Sequence, residues 1–353
     1  MSLLDLLVAR ITAQGPITVA EYMADCLLHP AFGYYATRDP LGAEGDFITA
    51  PEISQIFGEL LGLGLAQSWV AQGRPQRIIL AEAGPGRGTL MADALRAARA
   101  VPGFVEAAQL VLLEASPTLR TPQADMLGGY APHWIESLGD LPDDAPLFFI
   151  ANEFFDALPI RQFQRDGRMW RERQVGVAGD ALRFGLGPAQ PQPALAHRLD
   201  DTTDGDLIEH CSALAPAIDA IGQRIAVHGG AALIVDYGDW RSLGDTLQAL
   251  RDHKPVDPLK TPGAADLTAH VDFEAIAQAA PCAHTRLTTQ GVFLERLGIT
   301  HRARSLAQHL TGNPLDNLIA AHRRLTHPEE MGNLFKVIGL FPEGQAPPPG
   351  LDI

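Results

Sequence analysis

Residues 78–91, Ile-Ile-Leu-Ala-Glu-Ala-Gly-Pro-Gly-Arg-Gly-Thr-Leu-Met, decide the fold of this 353-residue chain. A short apolar run, Ile78 to Leu80, leads through Glu82 to glycines at 84, 86 and 88. An amphipathic stretch with Leu90, Met91, Ala94 and Leu95 follows. That order reads as strand, glycine loop, helix. Because the glycines at 84, 86 and 88 lack Cβ atoms, the backbone can turn sharply and come close to a ligand, and the helix behind it offers free amides to an anionic group. The spacing is G-x-G-x-G, whereas dinucleotide sites carry G-x-G-x-x-G. Glu82, two residues ahead of the first glycine, repels a pyrophosphate but suits a ligand with an ammonium and a sulfonium. S-adenosylmethionine has both. Two other readings stand beside it: a loop that only turns a strand into a helix, and a nicotinamide-dependent oxidoreductase, which the spacing and Glu82 disfavour.

Outward from that loop the pattern alternates. Strand-like runs fall at Arg77–Glu82, Gln109–Glu114, His133–Leu138, Leu147–Asn152 and Ala231–Asp236, with helical patterns between the first of them. One of these helices opens at Ser116-Pro117, an N-cap and first-turn pair. Alternation of this kind predicts a parallel sheet with helices on both faces, and ligands in such sheets sit at the carboxyl ends of the strands. Glu82, Glu114, Asn152 and Asp236 all fall there. Glu114 lies 30 residues after Gly84, where an acid can accept both hydroxyls of a ribose. Asn152-Glu-Phe-Phe-Asp-Ala-Leu-Pro159 follows the fourth strand. Its asparagine, two carboxylates and two aromatics make a polar nest with apolar walls, suited to a nitrogen nucleophile held in line with a sulfonium; a helix cap over core phenylalanines is the plainer reading.

The flanking segments read as follows. The first 70 residues look helical, with capping boxes at Thr18-Val-Ala-Glu21 and Thr49-Ala-Pro-Glu52. The second box opens an amphipathic helix with apolar residues at 53, 56, 57, 60, 61 and 65. Residues 161–187 read as β-hairpins inserted in the sheet, 188–206 as a surface loop, and 238–272 as a long polar stretch. Thr285–Gln290 and Leu334–Leu340 read as later strands, and the Pro/Gly-rich tail as mobile. His270, in Thr268-Ala-His-Val-Asp272, either approaches the site or is structural.

Composition narrows the function. The chain is 46% hydrophobic and 20% charged, with no apolar run long enough to span a membrane. Its net charge of −15 argues against nucleic acid as the main partner. Cys26, Cys211 and Cys282 are odd in number and far apart, which fits neither a disulfide framework nor a zinc site and suggests a reducing, cytoplasmic setting. No metal is expected, because a sulfonium already makes its methyl group electrophilic.

Several blocks together resemble the MidA family of S-adenosylmethionine-dependent methyltransferases. They are Gly45-Asp-Phe-Ile-Thr-Ala-Pro-Glu-Ile-Ser-Gln-Ile-Phe-Gly-Glu-Leu-Leu61, Glu82-Ala-Gly-Pro-Gly-Arg-Gly-Thr89, Asn152–Pro159, Val235-Asp-Tyr-Gly238, Asp245-Thr-Leu-Gln248, Asp266–Phe273 and Met331-Gly-Asn-Leu-Phe-Lys336. The resemblance implies a class I, Rossmann-like methyltransferase: α/β, with a doubly wound, mostly parallel seven-stranded sheet. It implies an N-terminal helical lid over 1–70 and a methyltransferase domain over 71–340, with insertions at about 161–206 and 238–272 and a mobile tail at 341–353. Asp46, Ile48 and Thr49 would contact the donor from the lid side, and Glu82, Gly84, Pro85, Gly86, Gly88, Glu114 and Asn152 from the sheet side. Asn152, Glu153, Asp156 and His270 would serve the chemistry. The mitochondrial members are complex I assembly factors that dimethylate an arginine on a core hydrophilic subunit, so the implied acceptor is a protein arginine. A small-molecule methyltransferase and a non-catalytic assembly protein remain open beside it.

Overall fold

The computed structural model describes residues 2–37 and 49–353, which divide into two compact units. The larger comprises Ile48–Phe155, Ala215–Gly238 and Phe273–Ile353; the smaller comprises Met1–Phe47, Asp156–Leu214 and Asp239–Asp272. The units therefore do not divide at residue 70: the Gln55–Ala71 helix belongs with the sheet.

In the larger unit we number the sheet strands β1 (Ile78–Ala83), β2 (Ala108–Leu113), β3 (His133–Ile135), β4 (Leu147–Asn152), β5 (Gly230–Asp239), β6 (Ala283–His284) and β7 (Phe335–Phe341). They lie in the order β6-β7-β5-β4-β1-β2-β3. Neighbours from β5 to β3 are parallel, whereas β7 runs antiparallel to both β5 and β6. This is the Rossmann-like methyltransferase arrangement. Every residue of β1 and of β4 is buried, which is why both read as nearly unbroken apolar runs and not as alternation. From β1 the chain winds outward to β2 and β3, then returns to the other side of β1 as β4. That reversal opens a crevice at the carboxyl ends of β1 and β4.

The Gln55–Ala71 helix packs on the Thr89–Ala98 helix at glycine contacts. A Cβ on Gly62 would stand 2.5 Å from Ala94 Cα, and one on Gly58 would stand 2.8 Å from the Leu90 carbonyl oxygen. Small residues let these two backbones approach. The long helix is buried on nearly every face, including Glu59 and Ser68, so it is less one-sided than its apolar spacing predicts. Glu59 is held by Arg96 at 2.8 Å and Arg302 at 2.7 Å.

Boundaries differ from expectation where local chemistry intervenes. Thr18 and Glu21 form the full capping box. Thr49 makes no side-chain cap; its helix stops at Ile53, and Ser54 caps the next one. Glu52 accepts instead from Thr89 Oγ1 at 2.7 Å. Of the strand expected at 285–290 only Thr288–Thr289 pairs with β7, because a helix begins at Gln290; β6, Ala283–His284, precedes the expected range. The expected mobile tail places Leu351 in the core, and its Asp352 carbonyl accepts from Arg286 N at 2.8 Å.

The smaller unit has its own antiparallel sheet. Met169–Ala178 lies between Ile17–Thr18 and Arg161–Asp166, Leu207–His210 follows outside the latter, and Ala181–Gln190 also pairs with Met169–Ala178. The hairpins expected around Gly167 and Gly179 are thus present, but in this separate sheet. The last of these strands runs to Gln190, and Pro193–Leu199 coils into a 3-10 helix with Leu195 and Arg198 buried, where a surface loop was expected. The polar stretch 238–272 folds in part into a three-stranded sheet, Lys254–Val256, Gln248–Arg251 and Asp266–Thr268. Helices Leu3–Gln14 and Val19–Leu28 contribute Leu7, Tyr22, Met23 and Cys26 to this unit's core.

Candidate active site

The glycine loop leaves β1 through three left-handed positions, Gly84 at φ 63°, Gly86 at 56° and Gly88 at 87°. That region penalises any side chain, and space adds to the demand. A Cβ on Gly84 would lie 3.3 Å from the Phe154 ring, and one on Gly88 would lie 3.1 Å from Leu127 Cδ1. Gly88 N–H donates to the Pro85 carbonyl at 2.7 Å, closing the turn. Gly88 is then the N-cap of the Thr89–Ala98 helix and has no side chain to occupy that helix's first amides.

Strand register gathers the predicted polar residues. Glu82 stands opposite Leu112 of β2 and Ile150 of β4, so Glu114 and Asn152 lie two residues further on at the neighbouring strand ends. All three are buried. Glu82 is 2% exposed, and its Oε2 has no hydrogen-bond partner among the described residues. Burial pushes its carboxyl up to about 8. Asn152 Oδ1 and Ser116 Oγ are likewise buried without partners among those residues. An unsatisfied buried polar atom costs about 1–3 kcal/mol. Three of them lie at or just beyond the carboxyl ends of neighbouring strands.

Glu114 is anchored from several directions. Its Oε1 accepts from Ser116 N at 2.7 Å and its Oε2 from Gln123 Nε2 at 3.0 Å, while its carbonyl accepts from Arg120 at 2.7 Å. Burial raises its carboxyl, and these donors work against that rise. A carboxylate oxygen that accepts one hydrogen bond has a second lone pair to offer.

After β4 the backbone takes a strained step. Glu153, a non-glycine residue, sits at φ 51°. Its N–H continues the ladder to the Val235 carbonyl at 2.9 Å, and Phe155 N–H donates to Asp236 Oδ2 at 3.0 Å. Asp236, fully buried and three residues inside the end of β5, which runs on to Asp239 beyond the expected strand end, therefore holds the turn that presents Glu153. Glu153 Oε1 accepts from Asn152 Nδ2 at 3.1 Å and from Ala50 N at 3.4 Å.

Two predicted residues fall in the smaller unit. The Asp156 carbonyl accepts from Ala269 N at 3.0 Å, and the next amide, of His270, donates to Thr246 Oγ1 at 2.8 Å. Thr246 in turn donates to the buried Glu209. Nearby, Tyr35 donates to Asp266 at 2.9 Å; burial and the charges of Asp266 and Asp156 keep its hydroxyl protonated. Thr49 starts the short Ala50–Ile53 helix. Asp46 and Ile48 lie outside the described residues.

Sequence reading overlooked Gln123 and gave Asp236 no role beyond its place at a strand end. Gln123 had a signal: Leu119, Gln123 and Leu127 recur every four residues and are all buried, so a polar residue interrupts an apolar stripe.

The sheet order, the left-handed glycine loop and the acids at the strand ends define a class I methyltransferase. Residues 60–292 match the family described as "Putative S-adenosyl-L-methionine-dependent methyltransferase", and the chain belongs to that family. It is 38% identical over 376 residues to the mitochondrial protein arginine methyltransferase NDUFAF7 of Xenopus laevis, covering 98% of this chain and 85% of that one. The human protein of the same name is 37% identical over 366 residues, covering 95% and 82%. A Burkholderia thailandensis protein whose crystal structure holds S-adenosyl-homocysteine aligns with a TM-score of 0.82 and 30% identity, over 99% of this chain and 93% of that one. The cofactor is S-adenosylmethionine.

Proposed function

We propose that this enzyme transfers a methyl group to a guanidinium nitrogen of an arginine in a protein. The observation that carries the reading is Glu153, a carboxylate fixed in a strained left-handed turn at the end of β4. The relatives' names as protein arginine methyltransferases agree with it. The bound donor supplies an electrophilic methyl group. The glycine loop, Glu82 and Glu114 hold that donor, and Asn152 fixes Glu153 through its amide. An arginine stays protonated in proteins, so it is a poor nucleophile until it is oriented. Glu153 accepts hydrogen bonds from the guanidinium and sets its plane; as the nitrogen forms its bond to the methyl, the methyl–sulfur bond breaks to leave neutral S-adenosylhomocysteine, one N–H proton passes to the Glu153 carboxylate and on to solvent, and the methylguanidinium keeps its single charge. Alignment of this kind is worth roughly 7–11 kcal/mol.

Asp156 and His270 are further candidates for the chemistry, and Asp46, Ile48 and Thr49 are candidate donor contacts. The acceptor we propose is a core hydrophilic subunit of respiratory complex I, and the setting is the bacterial cytoplasm. Three free cysteines support a reducing compartment, and no helix among the described residues is long and apolar enough to cross a membrane.

The test uses labelled S-adenosylmethionine and an extract of cells lacking the protein, followed by mass spectrometry of the labelled product. Methylarginine in one polypeptide, abolished by Glu153→Gln, is expected. Label recovered only in small molecules would establish the small-molecule reading, and full turnover in Glu153→Gln would remove Glu153 from the chemistry.

A further inference from the structure

We infer that Gln123 is a positioning residue for the donor's ribose, locking the Glu114 carboxylate and the glycine loop into one unit. The inference rests on the reading of Glu114 as the ribose acceptor. Gln123 is fully buried in the Pro117–Leu127 helix. Its Nε2 donates to the Gly86 carbonyl at 2.7 Å and to Glu114 Oε2 at 3.0 Å, and its Oε1 accepts from Trp134 Nε1 at 2.7 Å.

The chemistry of these partners fixes the amide's orientation. A carbonyl and a carboxylate only accept, and an indole N–H only donates, so the amide nitrogen must face the first two and its oxygen the third. Both N–H bonds of the amide are then spent, one on each partner. Gln123 bridges the two parts of the donor site that lie on different strand ends: the loop after β1 and the acid after β2. Backbone amides of Ser116 and Ala115 also serve the Glu114 carboxyl and Arg120 holds its backbone carbonyl, so Gln123 is the side-chain donor that ties Oε2 to the glycine loop. Without Gln123 that oxygen can rotate, and the carboxylate loses the orientation that lets it meet both ribose hydroxyls.

The experiment measures binding, by calorimetry, of S-adenosylhomocysteine and of its 2′-deoxyribose analogue to the full-length protein and to Glu114→Gln and Gln123→Met. A hydrogen bond to a charged group is worth about 1.5–3 kcal/mol, so the native protein should prefer the hydroxylated ligand by about tenfold or more. Glu114→Gln should erase that preference. Gln123→Met should reduce it to within about twofold, while the deoxy analogue binds the variant nearly as it binds the native protein. A generally loosened fold would instead weaken both ligands alike. Trp134→Phe, which removes the donor that orients the amide, should give an intermediate preference and serves if Gln123→Met does not fold. A native preference retained in Gln123→Met, or in Trp134→Phe where that stands in, overturns the inference while the ribose reading stands. A native preference retained in Glu114→Gln removes the ribose reading and the inference with it.

Discussion

Replacing Glu82 by glutamine separates what this carboxyl costs the fold from what it gives the cofactor. In the folded chain its pKa is about 8, against 4.5 for an ordinary glutamate, because burial disfavours the anion. The folded state therefore binds a proton that the unfolded state has released between these two values, and stability falls as pH rises across that window. At about 1.4 kcal/mol per unit the full penalty is of the order of 3–5 kcal/mol, complete by about pH 8. An amide at this position carries no such penalty. The ligand-free Glu82→Gln protein should thus match the native protein at pH 5 and exceed it by several kcal/mol at pH 8.5 in urea unfolding followed by circular dichroism. Binding should change in the opposite sense. S-adenosylhomocysteine presents an ammonium, which favours the ionised carboxylate, so native affinity should rise between pH 6 and 7.5 by up to tenfold per unit. The variant should bind more weakly, with no such slope. Parallel stability curves for the two proteins from pH 5 to 8.5 would refute the argument, since they would mean that Glu82 is charged and solvated at all these values.

Two further substitutions test packing and strain. Gly62→Ala should destabilise the protein by about 1–3 kcal/mol in chemical unfolding, because its methyl group meets the Ala94 backbone of the neighbouring helix at 2.5 Å. Glu153→Gly should abolish methyl transfer and, compared with Glu153→Ala, which loses the same side-chain hydrogen bonds, should be more stable by about 1 kcal/mol because it relieves the left-handed φ; equal stabilities would show that the turn is held without strain.

The parts of the fold that were legible in the sequence are those fixed by local rules. β1 and β4 are buried on both faces and so appear as continuous apolar runs, and three glycines between a strand and a helix can be met by few backbones. The reading failed where distant contacts decide. Whether 161–187 joins the main sheet or forms another depends on pairing with Ile17–Thr18 and Leu207–His210, which no local pattern reports. Residues 188–206 look like a loop because Pro, Asp and Thr dominate there, yet Arg198 is buried beside Asp201 at 3.0 Å. The site was legible as residue types at strand ends. Its geometry was not: the turn that carries Glu153 depends on Asp236, which reaches Phe155 from 81 residues further along the chain, and the bridge through Gln123 depends on an indole from β3.

The position of β7 bears on how the protein is made. It is the last strand along the chain, yet it lies inside the sheet, paired on one side with β5 and on the other with β6. A nascent polypeptide that has not yet delivered Phe335–Phe341 leaves β5 with an open, apolar flank and β6 with no neighbour on that side. That flank of β5 closes only through contacts of large sequence separation, which form slowly and leave unpaired edges exposed while they do.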